Sequence, residues 1–181
     1  MHTAIAIGQG LGLAAAAGLL AAGPLAIAAT AAREGWLSSP LHLTSRPLLI
    51  AITWALVVIE LAVDAVWPGA QAGARLARRL VAGGLAFELS AGPALPWAGL
   101  VIGALIAAAA GLSMGALRAR AVKAGGDLRG TAVIEDGSGV VASLLAVIPF
   151  AGFVLALLAG GLLWRVRRLE AGRYQGLRVL R

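Results

Sequence analysis

Five acidic residues set within apolar stretches are the groups of this chain most able to do chemistry: Glu60 and Asp64, Glu88, and the adjacent Glu135 and Asp136. Glu60 sits deepest. Counted from Leu49 to Trp67, it lies about 3 Å from the middle of its apolar run, at about 1.5 Å per helical residue. A carboxylate at that depth of a bilayer costs roughly 2.5–3.5 kcal/mol even on the lenient insertion scale, so it should avoid lipid and face a helical bundle. Asp64 follows four residues later and shares its helix face. Two carboxylates on one inward face can bind a proton or a cation. The same pair can instead be structural, held by Arg75, Arg78 or Arg79 or by the free donors of a helix end. Glu88 either joins this polar cluster or pairs with a single Arg. Glu135 and Asp136 stand just before Gly137-Ser138-Gly139. They read either as acidic residues at the positive N-terminal end of the last helix, or as counterparts of Glu60 and Asp64 in a repeat.

Other chemistries lack their residues. The chain has no Cys, which removes disulfides, thiolate metal sites and Cys nucleophiles. His2 and His42 have no metal partner at ligand spacing, and Ser and Thr are scattered without a nucleophile motif. Gly137–Gly139 is not a phosphate loop, since no Lys-Ser/Thr follows. The expectation is therefore a protein that is not an enzyme and that carries no metal or cofactor. A net charge of +7 raises the question of nucleic acid. The basic residues, however, fall in short clusters between apolar runs: Arg75, Arg78 and Arg79; Arg118, Arg120 and Lys123; Arg165, Arg167 and Arg168. Clusters so placed belong among lipid headgroups, where they fix topology, and no nucleic-acid partner is expected.

The elements that must position these groups follow from composition. Of 181 residues, 60% are hydrophobic and 13% charged, with a mean hydropathy of +0.91. A soluble domain carries roughly 25% charged residues, because its outer surface faces water. Here lipid is the expected solvent and partner. Ala4–Ala32 carries no charge and reads as a retained first helix, since it lacks the basic lead of a signal peptide and is too long for one. Leu48–Trp67 is the second run, with Pro47 and Pro68 as punctuation. The third starts at Leu80 and reaches only about Ser90 before Gly92, Pro93 and Pro96, so it reads as a half-helix or a broken segment. Trp97–Leu117 is a clear span, followed by a polar loop from Arg118 to Arg129. Val140–Trp164 is long enough to form the last. Trp36, Trp67, Trp97 and Trp164 fall at span ends, where indole rings favour the interface. The expected fold is all-α: a polytopic transmembrane bundle of four full spans plus one short or broken segment, over residues 1–168, with a basic tail at 169–181. Counting Lys and Arg by loop gives no clear orientation if the third segment crosses, and a cytoplasmic tail if it is re-entrant.

The run AAAAGL occurs at Ala14–Leu19 and again at Ala107–Leu112, with Gly10 and Gly103 preceding each copy. Halves at 4–90 and 97–164 would form an inverted repeat, a common transporter plan, although an Ala-rich chain also repeats AAAA readily. Gly8 and Gly12, Gly99 and Gly103, and Gly111 and Gly115 place small residues four apart, which lets helices pack closely. Self-association or membership of a larger membrane complex fits that pattern.

GLGLAAAAGLLAAGPLAIAATAAREGWLSSP near the start, VIELAVDAVWPG, a short Arg-led segment, and VIED leading the final apolar region occur in that order. In this sequence of features, from about Ile7 to Arg168, the chain resembles the small bacterial membrane proteins grouped as domain of unknown function 4126. Its most specific elements are Glu60-x-x-x-Asp64 followed by Pro68, and Glu135-Asp136. It departs at Ala65, where the family usually has Lys, and at Ala132 and Val133, where a Ser is frequent. The resemblance implies a bacterial inner-membrane protein and names no substrate. The expected function is a small transporter or channel-like protein with an intramembrane acidic site. The alternative is a non-catalytic accessory or scaffold subunit.

Overall fold

A computed structural model of the protein describes residues 2–38, 45–66, 72–93 and 95–175, and these form seven helices and no strand. They are α1 (His2–Ala17), α2 (Ala22–Arg33), α3 (Pro47–Val66), α4 (Ala72–Ala91), α5 (Ala98–Lys123), α6 (Leu128–Val147) and α7 (Ala151–Gln175). His42, Trp67, Pro68 and the end of the basic tail lie outside the described residues. Ala, Leu and Arg favour helix throughout, and proline decides where helices stop. Pro47 opens α3, where its missing N–H costs nothing. Pro93 follows the end of α4, and Pro149 follows the end of α6.

Four features differ from the sequence expectation. The charge-free run Ala4–Ala32 is not one span but two shorter helices joined at Gly18–Ala21. Pro24 has no N–H for the Leu20 carbonyl, and its ring would collide with that carbonyl in a continuous helix. The third segment is neither short nor broken. Helix α4 begins at Ala72 and incorporates Arg75, Arg78 and Arg79, reaching 20 residues. The supposed loop Arg118–Arg129 shrinks to residues 124–127, since α5 continues to Lys123. The last apolar region is two helices: Pro149 ends α6, and Phe150, at φ 69°, turns the chain back into α7.

Packing partners give the topology. The hydrophobic cluster of Leu13 with Ile27, Ala28 and Ala31, and the bonds of Gln9 to Trp36 and Ser38, fold α2 back along α1 as a hairpin. Helix α3 runs antiparallel to α2: Ala22 meets Glu60, Val57 clusters with Ala26, and Trp54 Nε1 bonds Thr30 Oγ1. Phe87 of α4 packs beneath Gly10 of α1 and Gly99 and Gly103 of α5, so the three backbones approach closely at glycine. Gly18 and Gly111, the same position in the two AAAAGL runs, press on one another. Helix α6 runs antiparallel to α1, with Gly139 at Leu20 and Val147 bonded to Gln9, and α7 returns with Gly152 against Gly8 and Gly12. The starts of α4 and α6 and the ends of α3, α5 and α7 therefore share one end of the bundle. We call it the basic end. The tip of the α1–α2 hairpin lies midway, among α3, α4, α5 and α6.

The interior is built from small residues and, unusually, from polar ones. Gln9, Glu60, Asp64, Arg79, Glu135 and Asp136 are buried. The outer faces of α3, α5, α6 and α7 expose Leu48, Val58, Val101, Leu105, Val133, Val141, Leu157 and Leu158. Helices α3 and α5 are long and apolar enough to cross a membrane, with only 22% and 28% of their apolar windows buried.

Candidate functional site

A helix break inside a bundle leaves backbone donors and acceptors that must find partners. At the hairpin tip they find charged side chains. The Glu60 carboxylate accepts from the backbone amides of Ala21 (3.0 Å) and Ala22 (2.7 Å), the first turn of α2. Its negative charge sits at the positive end of the α2 dipole. Across the tip, Arg79 donates to the Leu19 carbonyl, just past the negative end of α1. One acid and one base thus close both sides of the break.

The tip is tied to the neighbouring helices through the same residues. Arg79 Nη1 lies 2.6 Å from Glu135 Oε1, and Arg118 Nη1 lies 3.4 Å from Glu135 Oε2. Glu135 on α6 therefore joins α4 and α5. Asp64, one turn beyond Glu60, pairs with Arg75 at 2.9 Å. Both partners of the Arg79–Glu135 pair are almost fully buried, so their attraction works in a low dielectric, and removing Glu135 would leave the Arg79 charge buried without its carboxylate.

Asp136 is the exception. It is only 9% exposed, its electrostatic neighbours are Asp64, Glu135 and Glu60 against Arg79, and it makes no hydrogen bond or ion pair among the described residues. Of the four carboxylates in the cluster, Asp64 and Glu135 meet guanidinium groups and Glu60 meets two amides, whereas Asp136 meets neither among the described residues. Arg78, on the same helix as Arg75 and Arg79, is exposed and forms no ion pair among the described residues. It lines an open groove of about 450 Å³ between α2, α3 and α4, with Glu60 in the wall.

The structure thus draws Glu60, Asp64, Glu135 and Asp136 together around one tip. It leaves Glu88 apart. Nine residues separate Glu88 from Arg79, about 14 Å along α4 at about 1.5 Å per residue. Its carboxylate lies beside Gly92 and Gly99 at the opposite end of the bundle. Glu135 and Asp136 are not at a helix start either. They occupy the second and third turns of α6, whose cap is Asp127, accepting from the Gly130 amide at 2.9 Å. The Gly130 and Arg129 amides hold the exposed Asp127 carboxyl below the usual aspartate range. No group of three or more His, Cys, Asp or Glu able to hold a metal occurs among the described residues.

Two positioning residues escaped sequence reasoning. Gln9 is fully buried, donates to the Trp36 and Val147 carbonyls, and accepts from the Ser38 amide. It pins the open end of the α1–α2 hairpin to the end of α6. A lone amide in a charge-free run was the available signal. Arg118 looked like a loop residue because the α5 helix outruns its apolar stretch.

The model of the family described as Domain of unknown function (DUF4126) matches residues 7–168, and the chain belongs to that family. No curated protein and no solved structure matches it.

Proposed function

We propose that this DUF4126 member is a multi-spanning membrane protein, with α3 to α7 crossing the bilayer and the α1–α2 hairpin entering from one side. The support is an inside-out distribution: charged and amide side chains in the interior, large aliphatic ones on the outer faces. Water would reverse that arrangement, whereas lipid favours it. Buried hydroxyls add to the case, since Ser90, Ser113 and Ser143 each bond a carbonyl four residues back on their own helix. Orientation follows from charge. Arg33 and Arg46 lie at one end, whereas Arg75, Arg78, Arg118, Arg120, Lys123, Arg129, Arg165, Arg167 and Arg168 lie at or near the other. The basic end is therefore cytoplasmic by the positive-inside rule, in a bacterial inner membrane.

Within that setting we propose a small transporter or channel-like protein in which Asp136 binds the moving proton or cation. The observation that carries this is a buried carboxylate without an ion-pair partner beside a helix break. Broken helices with such groups recur where membrane proteins bind ions. The test is proton and alkali-cation flux in proteoliposomes. Wild-type protein should dissipate an imposed gradient, and Asp136→Asn should stop it while the protein elutes and melts as before. Wild-type vesicles as tight as empty ones would sink the reading. A second reading, an accessory subunit without flux, draws on Glu60, Asp64 and Glu135, all three of which are engaged in holding helices together. It predicts a stable partner retained in mild detergent.

A further inference from the structure

The three arginines of the cluster also border a second groove. A groove of about 760 Å³ opens between α4, α5 and α6 at the basic end, and Arg75, Arg79, Arg118 and Lys123 line it, with Glu135 as its one acidic residue. Glu135 is divided between Arg79 and Arg118, and Arg75 meets its carboxylate on α3 rather than across the groove. Among the lining residues, four basic side chains stand against one carboxylate. Arg79 Nε is buried without a hydrogen-bond partner. The remaining surface is apolar, with Leu76, Leu112 and Leu128 running from the charged floor toward the bundle's outer face.

We propose that this groove binds a phosphate-bearing anion, with the phosphate against Arg79, Arg118 and Lys123. Guanidinium groups match phosphate oxygens in geometry and charge, and they hold their charge at any accessible pH. The leucine wall suits the acyl chains of an amphiphile whose headgroup is that phosphate. The position agrees. Arg75 in the first turn of α4 and Lys123 at the end of α5 lie at headgroup level when these helices span, where basic pockets between helices take anionic lipid, and the groove runs inward from there to Arg79. The lipid source rests on the membrane reading of the preceding section. It is independent of Asp136 and of any flux.

The test is binding to the full-length protein in mild detergent, read by native mass spectrometry and thermal shift. The probes are phosphatidylglycerol, phosphatidylcholine and inorganic phosphate. Phosphatidylglycerol should be retained over phosphatidylcholine by about tenfold, the effect of roughly one charge-assisted contact. Arg118→Gln combined with Lys123→Gln should abolish that preference. Gly115→Leu is a second variant that leaves every charge in place. No atom lies near the Cβ position of Gly115, so a side chain there fills the groove without displacing its neighbours. It should lower phosphatidylglycerol retention while the lipid-free melting temperature stays put. Saturable uptake of inorganic phosphate with no lipid preference, lost in both variants, would keep the anion site and assign it to soluble phosphate. Equal retention of both lipids with no phosphate binding would overturn the proposal. So would a phosphatidylglycerol preference that survives Gly115→Leu and the double charge variant. Since binding is read without a gradient, absent flux leaves the result intact.

Discussion

Replacing Glu60 with alanine removes the acceptor of two buried amides, those of Ala21 and Ala22. Each buried donor left without a partner costs about 1–3 kcal/mol, so the gross loss is about 2–6 kcal/mol. Losing a negative charge at the α2 N-terminus adds about 0.3–1 kcal/mol. Removing the carboxylate also relieves its own desolvation and its repulsion by Asp136, which trims the total. The net expectation is a loss of about 2–4 kcal/mol. Glu60→Gln keeps one carbonyl acceptor but turns an amide donor toward the other N–H, so it should fall between wild type and alanine. Equilibrium unfolding in mixed micelles reads the stability. Hydrogen exchange at residues 21 and 22 reads the mechanism, because those amides should exchange fastest in Glu60→Ala. An alanine variant that unfolds at the wild-type midpoint, with both amides still protected, would refute the capping argument.

Other outcomes follow from the same contacts. Arg79→Met leaves Glu135 with the longer Arg118 contact and the Leu19 carbonyl without its Arg79 donor, and should cost about 3–5 kcal/mol in the same unfolding assay, with much of it recovered in Arg79→Met/Glu135→Met. Gln9→Leu leaves two carbonyls and one amide without their partner and should cost about 3 kcal/mol, seen as faster exchange at Ser38. Asp127 has a lowered pKa in the folded chain, so its capping contribution is complete above the usual aspartate range and disappears as acid protonates it. An Asp127→Asn variant should keep the cap and lose that acid sensitivity in exchange at Gly130. Single cysteines at Lys123 and Trp36 should react with an impermeant maleimide from opposite sides of the membrane, Lys123→Cys from the cytoplasm.

The helical class, α3 and the apolar part of α5 were legible because each helix is a long, mainly apolar run with proline or tryptophan at its ends. What the sequence concealed were the two reversals. A charge-free stretch of Ala and Gly reads the same whether it spans or doubles back, and the sign was a single residue, Pro24. Pro149 was the equivalent sign in the last apolar region. That one turn carries the tail to the same end of the bundle as the basic residues of α4 and α5, a placement that loop counting made depend on whether the third segment crosses. Helix α4 was underestimated for a different reason. Its basic first half looked like a loop, yet Arg75 and Arg79 are paid for by Asp64 and Glu135 on other helices, contacts that no local pattern reveals. The four clustered carboxylates were visible as chemistry, but not their division of labour. Whether an acid meets an amide, a guanidinium or nothing depends on where the hairpin tip falls.

Everything proposed for this protein depends most on lipid being the solvent of its outer faces. Spin labels at Leu105 on α5 and Leu157 on α7, in protein reconstituted into vesicles, test that directly. Both side chains are exposed on the bundle's outside. Collision with dissolved oxygen should be high at both labels, and collision with a water-soluble nickel chelate should be near zero. Labels open to the nickel chelate and shielded from oxygen would place those faces in water, and the proposed crossing of the bilayer would fall.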